Sequence, residues 1–240
     1  MTRTARTALP EWQRSAEALR ALRAHWLAAV AKDYYPYAFF RELGLSPRLL
    51  RLFAVACCRH PLIDGLLTDP RSSTAVEVAE RHADGLSTDA ALRQAWHDGW
   101  VARDDLRGAT AAATAAYATA ATATTDDAAH AATDAAAHAA TAAHARAAMR
   151  EYQGGLLVSL VGPGWKFAPA WRTHTAVALA SHIYEAREWG AMPILADALQ
   201  DAGCEDVRVL EPLRDPAGVW FRGARVLDEL LGKREGRDRA

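Results

Sequence analysis

Glu77, Glu80 and Asp84 are the residues of this chain best suited by type and spacing to exchange a proton with a substrate. They share one amphipathic helical stretch, in which Glu77 and Arg81 stand in i, i+4 relation. Acid/base chemistry would require two of these carboxylates in a cleft that shifts their pKa values, with a histidine in reach. A solvated charged helix face has the same residues at the same spacing, and that is the expectation. Cys57-Cys58, beside Arg59 and His60, suggests a thiol site, since neighbouring cations lower a thiol pKa. The surrounding helix is apolar nearly all round, however, which predicts buried structural thiols. With no Cys-x-x-Cys pair there is no zinc knuckle.

His130, Asp134 and His138 form the one set at metal-ligand spacing on a helix. Two i, i+4 neighbours can share an ion, but a third ligand eight residues on lies about 12 Å along the axis. A charge-alternating solvated face is expected instead, with no metal and no cofactor. Arg48, Arg51 and Arg59 are the candidate nucleic-acid contacts, if they shared an exposed face. The segment from Leu195 to Leu210 could mimic a helix-turn-helix, but Glu205 and Asp206 would repel phosphate where a recognition helix must approach it. His174, His182, Asp197, Arg222 and Asp228 read as caps or buried hydrogen-bond partners.

Composition narrows the classes. The chain has 240 residues, 51% hydrophobic and 24% charged, enough to bury a core. A net charge of −1 gives no phosphate-tracking surface over the whole molecule, so protein rather than nucleic acid is the expected partner. No apolar run is long enough for a bilayer, and residues 1–10 lack the core of a secretory signal. Three cysteines make no disulfide framework, which fits a reducing, cytoplasmic setting.

The elements that must position these residues are helices. Trp12, Leu19, Leu22 and Trp26 recur at helical spacing, and the aromatic cluster from Tyr34 to Phe40 restarts as a short helix ended by Gly44. Ser46-Pro47 and Asp69-Pro70 are cap-and-proline starts for helices from Arg48 to His60 and on to Ala83, the second stopped at Gly85. The first of these, apolar on most of its circumference, should be the most buried helix. Ser87 or Thr88 caps the next, with Leu92, Trp96, Trp100, Arg103 and Leu106 as its stripe.

A tract from Ala109 to Arg150 follows, nearly all alanine, with a kink or hairpin expected at Thr124-Thr-Asp-Asp127. Alanine favours helix but buries little area, so bulky neighbours must wrap the tract as a spine. After Gly154-Gly155 comes an apolar run to Val161 and a loop to Trp165. Helices then run from Thr173 to Glu188, Ile194 to Ala202, Asp206 to Leu213 and Val219 to Leu231. No period-2 alternation appears. The expected fold is all-α, a multi-helix bundle around the alanine-rich helix or hairpin. Its parts are a free basic start (1–10), an N-terminal helical subregion (11–107), the tract (108–155), a C-terminal helical subregion (156–232) and a free tail (233–240).

Leu49-Leu-Arg-Leu-Phe-Ala-Val-Ala-Cys-Cys-Arg59 and Ala75-Val-Glu-Val-Ala-Glu-Arg-His-Ala-Asp-Gly85 resemble the paired signatures of a paralogue-rich bacterial family. Ala176–Ala180, Ile183–Glu185, Pro193–Leu199, Ala202–Cys204, Arg222-Gly223 and Leu230–Gly232 follow that family's C-terminal pattern in order, so the resemblance runs from about Trp26 to Lys233. The chain departs from it at Val161–Trp165, where the family has an Asn-Pro-Phe loop, and at Leu213–Pro216. The resemblance implies a shared architecture and carries no activity with it. The functional expectation is a non-enzymatic helical scaffold or protein-interaction protein. An enzyme using Glu77, Glu80 or Asp84 with a histidine, and a nucleic-acid binder using Arg48, Arg51 and Arg59, are the alternatives.

Overall fold

The computed structural model of the chain describes residues 16–31, 40, 43–61, 69–105, 145–162 and 165–234. Among these residues the fold is an all-α, multi-helix bundle: α1 (Ala16–Ala31), α2 (Pro47–Cys58), α3 (Pro70–Ala83), α4 (Asp89–Asp105), α5 (Ala145–Val161), α6 (His174–Ala186), α7 (Met192–Asp201), α8 (Val207–Arg214) and α9 (Arg225–Leu231). Most helices start where cap chemistry places them. The Ser46 hydroxyl accepts the Leu49 amide at 3.3 Å, the Asp69 carboxylate the Arg71 amide at 2.8 Å, and the Thr88 and Thr173 hydroxyls those of Ala91 and Ala176, each at 3.2 Å. Each such bond satisfies an amide that the helix itself leaves without a partner.

The most buried helix is α2, as its apolar circumference predicts: Arg48 and every residue from Leu50 to Cys58 are buried. Phe53 and Leu52 join Leu22 and Trp26 of α1 and Leu156 and Leu160 of α5 in one core. Val55 and Cys58 pack with Val76, Ala79 and Leu92 of α3 and α4 in another. A third core is built by α6 to α9, with Ile183, Leu195, Leu199, Leu210 and Leu227, and includes Trp165 and Trp171. Residues 106–144, which hold all but the last six residues of the tract from Ala109 to Arg150, lie outside the described residues; 145–150 open α5, and among the described residues it is α2 that occupies the centre.

Several boundaries differ from expectation for identifiable reasons. The stripe of α4 is Leu92, Ala95, Gly99 and Ala102, whereas Trp100 is exposed. Steps of four residues overshoot a helical turn, so from Leu92 to Trp100 the side chain rotates by about 80° off the buried face. No helix spans 219–224. Those residues form a strap: Phe221 enters the first core, Arg222 turns to α6, and Gly223 has φ +101°, outside the helical region. Lys233, the first residue of the expected free tail, is held by its amide on the Asp228 carbonyl at 2.9 Å.

Gly154 and Gly155 do not interrupt α5, which runs from Ala145 to Val161. Gly155 lets the strap approach: a Cβ there would lie 2.5 Å from Val219 Cγ2. At Gly154 a Cβ would meet the flexible Arg23 side chain, with Cγ at 3.0 Å. The two alanine substitutions should therefore have opposite signs in urea denaturation. Gly154→Ala gains up to about 1 kcal/mol of helix propensity, and Gly155→Ala loses about 1–3 kcal/mol through overpacking against a stiff β-branched neighbour. A stabilised Gly155→Ala would mean that the strap is not seated on α5.

Candidate functional site

Folding brings two of the three candidate carboxylates together and leaves out the third. Glu80 and Asp84, one turn apart on and just after α3, are buried where α2, α3, α6 and α9 converge; Glu77 faces solvent. Arg81 does not pair with Glu77 but reaches the Leu86 carbonyl at 3.4 Å. Asp84 accepts the Tyr184 hydroxyl at 2.7 and 2.9 Å, lies 3.2 Å from Arg48 Nη2 and 3.4 Å from Lys233 Nζ, and has Arg222 Nη1 at 3.9 Å. Arg48 closes the inner end with a bidentate pair to Asp228, at 2.6 and 3.0 Å, and donates to Tyr184 Oη at 3.1 Å.

Glu80 forms the outer end. It pairs with Arg59 at 2.7 Å and with Arg187 through both Nε and Nη2, while Arg222 Nε stands 3.8 Å away. Arg222 is anchored separately, donating to the carbonyls of Tyr184 at 2.9 Å and Glu185 at 3.1 Å, and reaching the Glu185 carboxylate at 3.3 Å. The Tyr184 ring lies against two cations, 5.0 Å from the Arg222 guanidinium and 4.6 Å from Lys233 Nζ. Arg187 ends α6 with φ +56° and ψ +34°, a left-handed backbone that costs an ordinary residue roughly 1–2 kcal/mol.

The electrostatics follow from this enclosure. Burial disfavours the charge on Arg48, but its hydrogen bond and proximity to Asp228, with Tyr184 and Asp84 behind, raise its pKa above the ordinary value. Burial pushes the Tyr184 hydroxyl up, and Asp84 reinforces this against the opposing charge of Arg48. Tyr184 therefore acts as a hydrogen-bond donor and holds its proton. No described histidine joins Glu80 or Asp84. His82 pairs with Asp89 at 2.7 Å and His182 with Glu188 at 3.0 Å, both at the surface.

The other candidates are dispersed. Arg48 and Arg51 are buried, at 9% and 5% exposure, and Arg59 is committed to Glu80, so the three do not form a face that phosphates could reach. Cys57 and Cys58 are fully buried; desolvation, and then Cys58, raise the Cys57 thiol pKa against a 3.8 Å contact from Gln153. Such a thiol is a core group, not a nucleophile. His130, Asp134 and His138 lie outside the described residues, and among those described no three His, Cys, Asp or Glu are grouped to hold a metal. In the helix-turn-helix look-alike, Asp206 caps α8 and ties up Arg208 at 2.6 Å. Asp197 makes a surface pair with Arg214 at 2.6 Å.

The sequence reads Asp228 and Arg222 as caps or buried hydrogen-bond partners and gives no role to Tyr184, Arg187 or Lys233. A signal was there for Asp228, the first of two acids between Leu227 and Leu230 in a short helix otherwise mostly apolar. Tyr184 signalled itself only as a polar tip on the face of α6 shared with Ala176, Ala180 and Ile183.

Two cavities adjoin the strap. One, of about 440 Å³, touches the outer end of the charge network and is lined by Arg59, Glu80, Arg187, Arg222, Trp189 and Trp220 among others. The second, of about 180 Å³, lies between α5 and α8, floored by Val158, Val209, Leu213 and Val226 and bordered by Arg23, Arg208, Asp215 and Ala217. Arg225 lies over the Trp165 ring at 4.5 Å beside it. No described helix is long and apolar enough to cross a membrane. No family model, curated protein or solved structure matches the chain.

Proposed function

We propose that this protein is a non-enzymatic helical scaffold that works by holding another protein. The observation that carries this reading is the commitment of its buried carboxylates. Glu80, Asp84 and Asp228 are each engaged by arginine, with side chains at most 3% exposed, and no described histidine is placed to receive a proton from them. Groups so engaged join helices; a general acid or base must be able to give up its proton partner.

The groove between α5 and α8 is where a partner would seat an apolar side chain, its floor aliphatic and its charged residues Arg23, Arg208 and Arg225 against the single acid Asp215. The protein acts in the cytoplasm, where its three free thiols stay reduced. We also assign it to the bacterial family whose signatures it resembles, because Arg59, Glu80, Asp84, Tyr184 and Arg222 all come from the resembling segments.

Affinity purification of the full chain from its native cell tests the scaffold reading. Ala217, exposed at the groove rim, is replaced by tryptophan to block the groove; Leu86→Ser, on an exposed residue outside the groove lining, is the control. A specific protein should be recovered with the parent and the control and lost with Ala217→Trp. Recovery of nothing specific across repeats, or equal recovery with all three, overturns the reading.

A further inference from the structure

We propose that the cavity beside Glu80 is a binding site for a small ligand that joins a planar apolar body to an oxyanion, either carboxylate or phosphate. This goes beyond the scaffold reading and concerns a different cavity from the partner groove. At about 440 Å³ it falls within the range of small-molecule pockets. Its charged wall consists of Arg59, Arg187 and Arg222, contributed by the end of α2, the end of α6 and the strap, around the single carboxylate of Glu80.

One carboxylate does not satisfy three guanidiniums. Arg59 spends Nη2 on Glu80 while its buried Nε makes no hydrogen bond. Arg222 spends Nε and Nη2 on the Tyr184 and Glu185 carbonyls and not on Glu80, and its Nη1 has its nearest carboxylate oxygen, on Asp84, at 3.9 Å. The cavity wall thus carries two more positive charges than negative ones. The exposed Glu185 offsets one of these through Arg222, and the inner pairs of Arg48 and Lys233 with Asp228 and Asp84 balance each other. An excess of cation therefore remains on either count. Planar guanidinium forks match the paired oxygens of a carboxylate or phosphate.

Apolar surface is supplied by Trp189 and Trp220, both partly buried in the same lining. Aromatic faces of this kind accept a flat ring. Arg187 adds an independent sign. Its left-handed backbone suits glycine, and among the described residues its side chain reaches only Glu80. Conformational strain of this type concentrates at ligand clamps.

The test is a titration of the full chain with phenyl phosphate, benzoate, inorganic phosphate and benzamide, followed by calorimetry and by tryptophan fluorescence. At least one of the two aryl oxyanions should bind about tenfold or more tighter than both benzamide and inorganic phosphate, a difference of about 1.4 kcal/mol. Whichever of phenyl phosphate and benzoate binds tighter identifies the oxyanion. Arg187→Gly should lose about tenfold or more in affinity without melting earlier, since glycine relaxes the backbone. Arg59→Met, which leaves that backbone alone, should show the same loss.

Absence of binding by both aryl oxyanions, equal binding of benzamide, or unchanged affinity in both variants would overturn the site. Inorganic phosphate binding as tightly as phenyl phosphate would overturn its apolar half. Because Ala217→Trp reads the partner groove and Arg187→Gly reads this cavity, the two ideas fail separately.

Discussion

Arg48→Met should destabilise the fold by about 3–5 kcal/mol, the cost of leaving a buried charge without its partner. The residue is 9% exposed and holds Asp228, whose side chain is 1% exposed, through two hydrogen bonds at 2.6 and 3.0 Å. Methionine keeps most of the volume of the arginine stem, so loss of charge and hydrogen bonds, not a cavity, dominates. Asp84 is partly protected, because Tyr184, Lys233 and Arg222 still face it. Asp228 is not: its side chain has no other described hydrogen-bond partner.

The rescue distinguishes this mechanism from simple loss of packing. Arg48→Met combined with Asp228→Leu removes both charges, and replacing a buried pair by apolar groups of similar size is often neutral or stabilising. The double variant should recover most of the loss in urea denaturation, with the m-value unchanged. A double variant as unstable as Arg48→Met would show that the pair is not what joins α2 to α9.

Trp26→Ala should cost about 3–5 kcal/mol, as for other buried aromatic truncations. Trp26 is fully buried, and its ring lies 5.6 Å from Phe40 and 6.3 Å from Phe53, which are themselves 5.2 Å apart. These tilted and edge-on arrangements suit the ring quadrupoles and add to the buried area. With Leu22, Trp26 is the buried contact by which α1 holds to α2 and α5. Hydrogen exchange should therefore show protection lost first across 16–31. Trp26→Phe, which keeps an aromatic ring, should lose less than Trp26→Ala. Losses below about 1 kcal/mol for both would show that the three-ring cluster does not anchor α1.

Much of the local structure was legible in the residues. Ser46-Pro47, Asp69-Pro70, Thr88 and Thr173 announce helix starts because a hydroxyl or carboxylate at that position bonds an amide only a few residues away. Gly203 announces the end of α7 by a backbone device just as local: at φ +84° it turns the chain so that the Cys204 amide returns to the Leu199 carbonyl at 2.9 Å. The burial of α2 was legible because its apolar residues leave no polar face to point at water. The continuity of α5 through Gly154-Gly155 was not. Glycine lowers helix propensity, but its effect here is decided by Val219, which needs the space a side chain would take.

The sequence by itself determined that the described residues are helical, where most of their helices begin and which helix is buried, since these depend on contacts within a few residues and on periodic burial. The tertiary structure alone decided what the charged residues do. Glu77 and Glu80 differ by three positions on one helix, yet one faces water and the other meets Arg59 and Arg187, 21 positions before it and 107 after it. Arg48 was a candidate phosphate contact only if exposed, and it is the inner end of a buried network because Asp228, 180 residues away, folds against it. Spacing along a helix states which side chains share a face. Whether that face is dry, and which opposite charges meet it there, depends on long-range packing that no local pattern encodes.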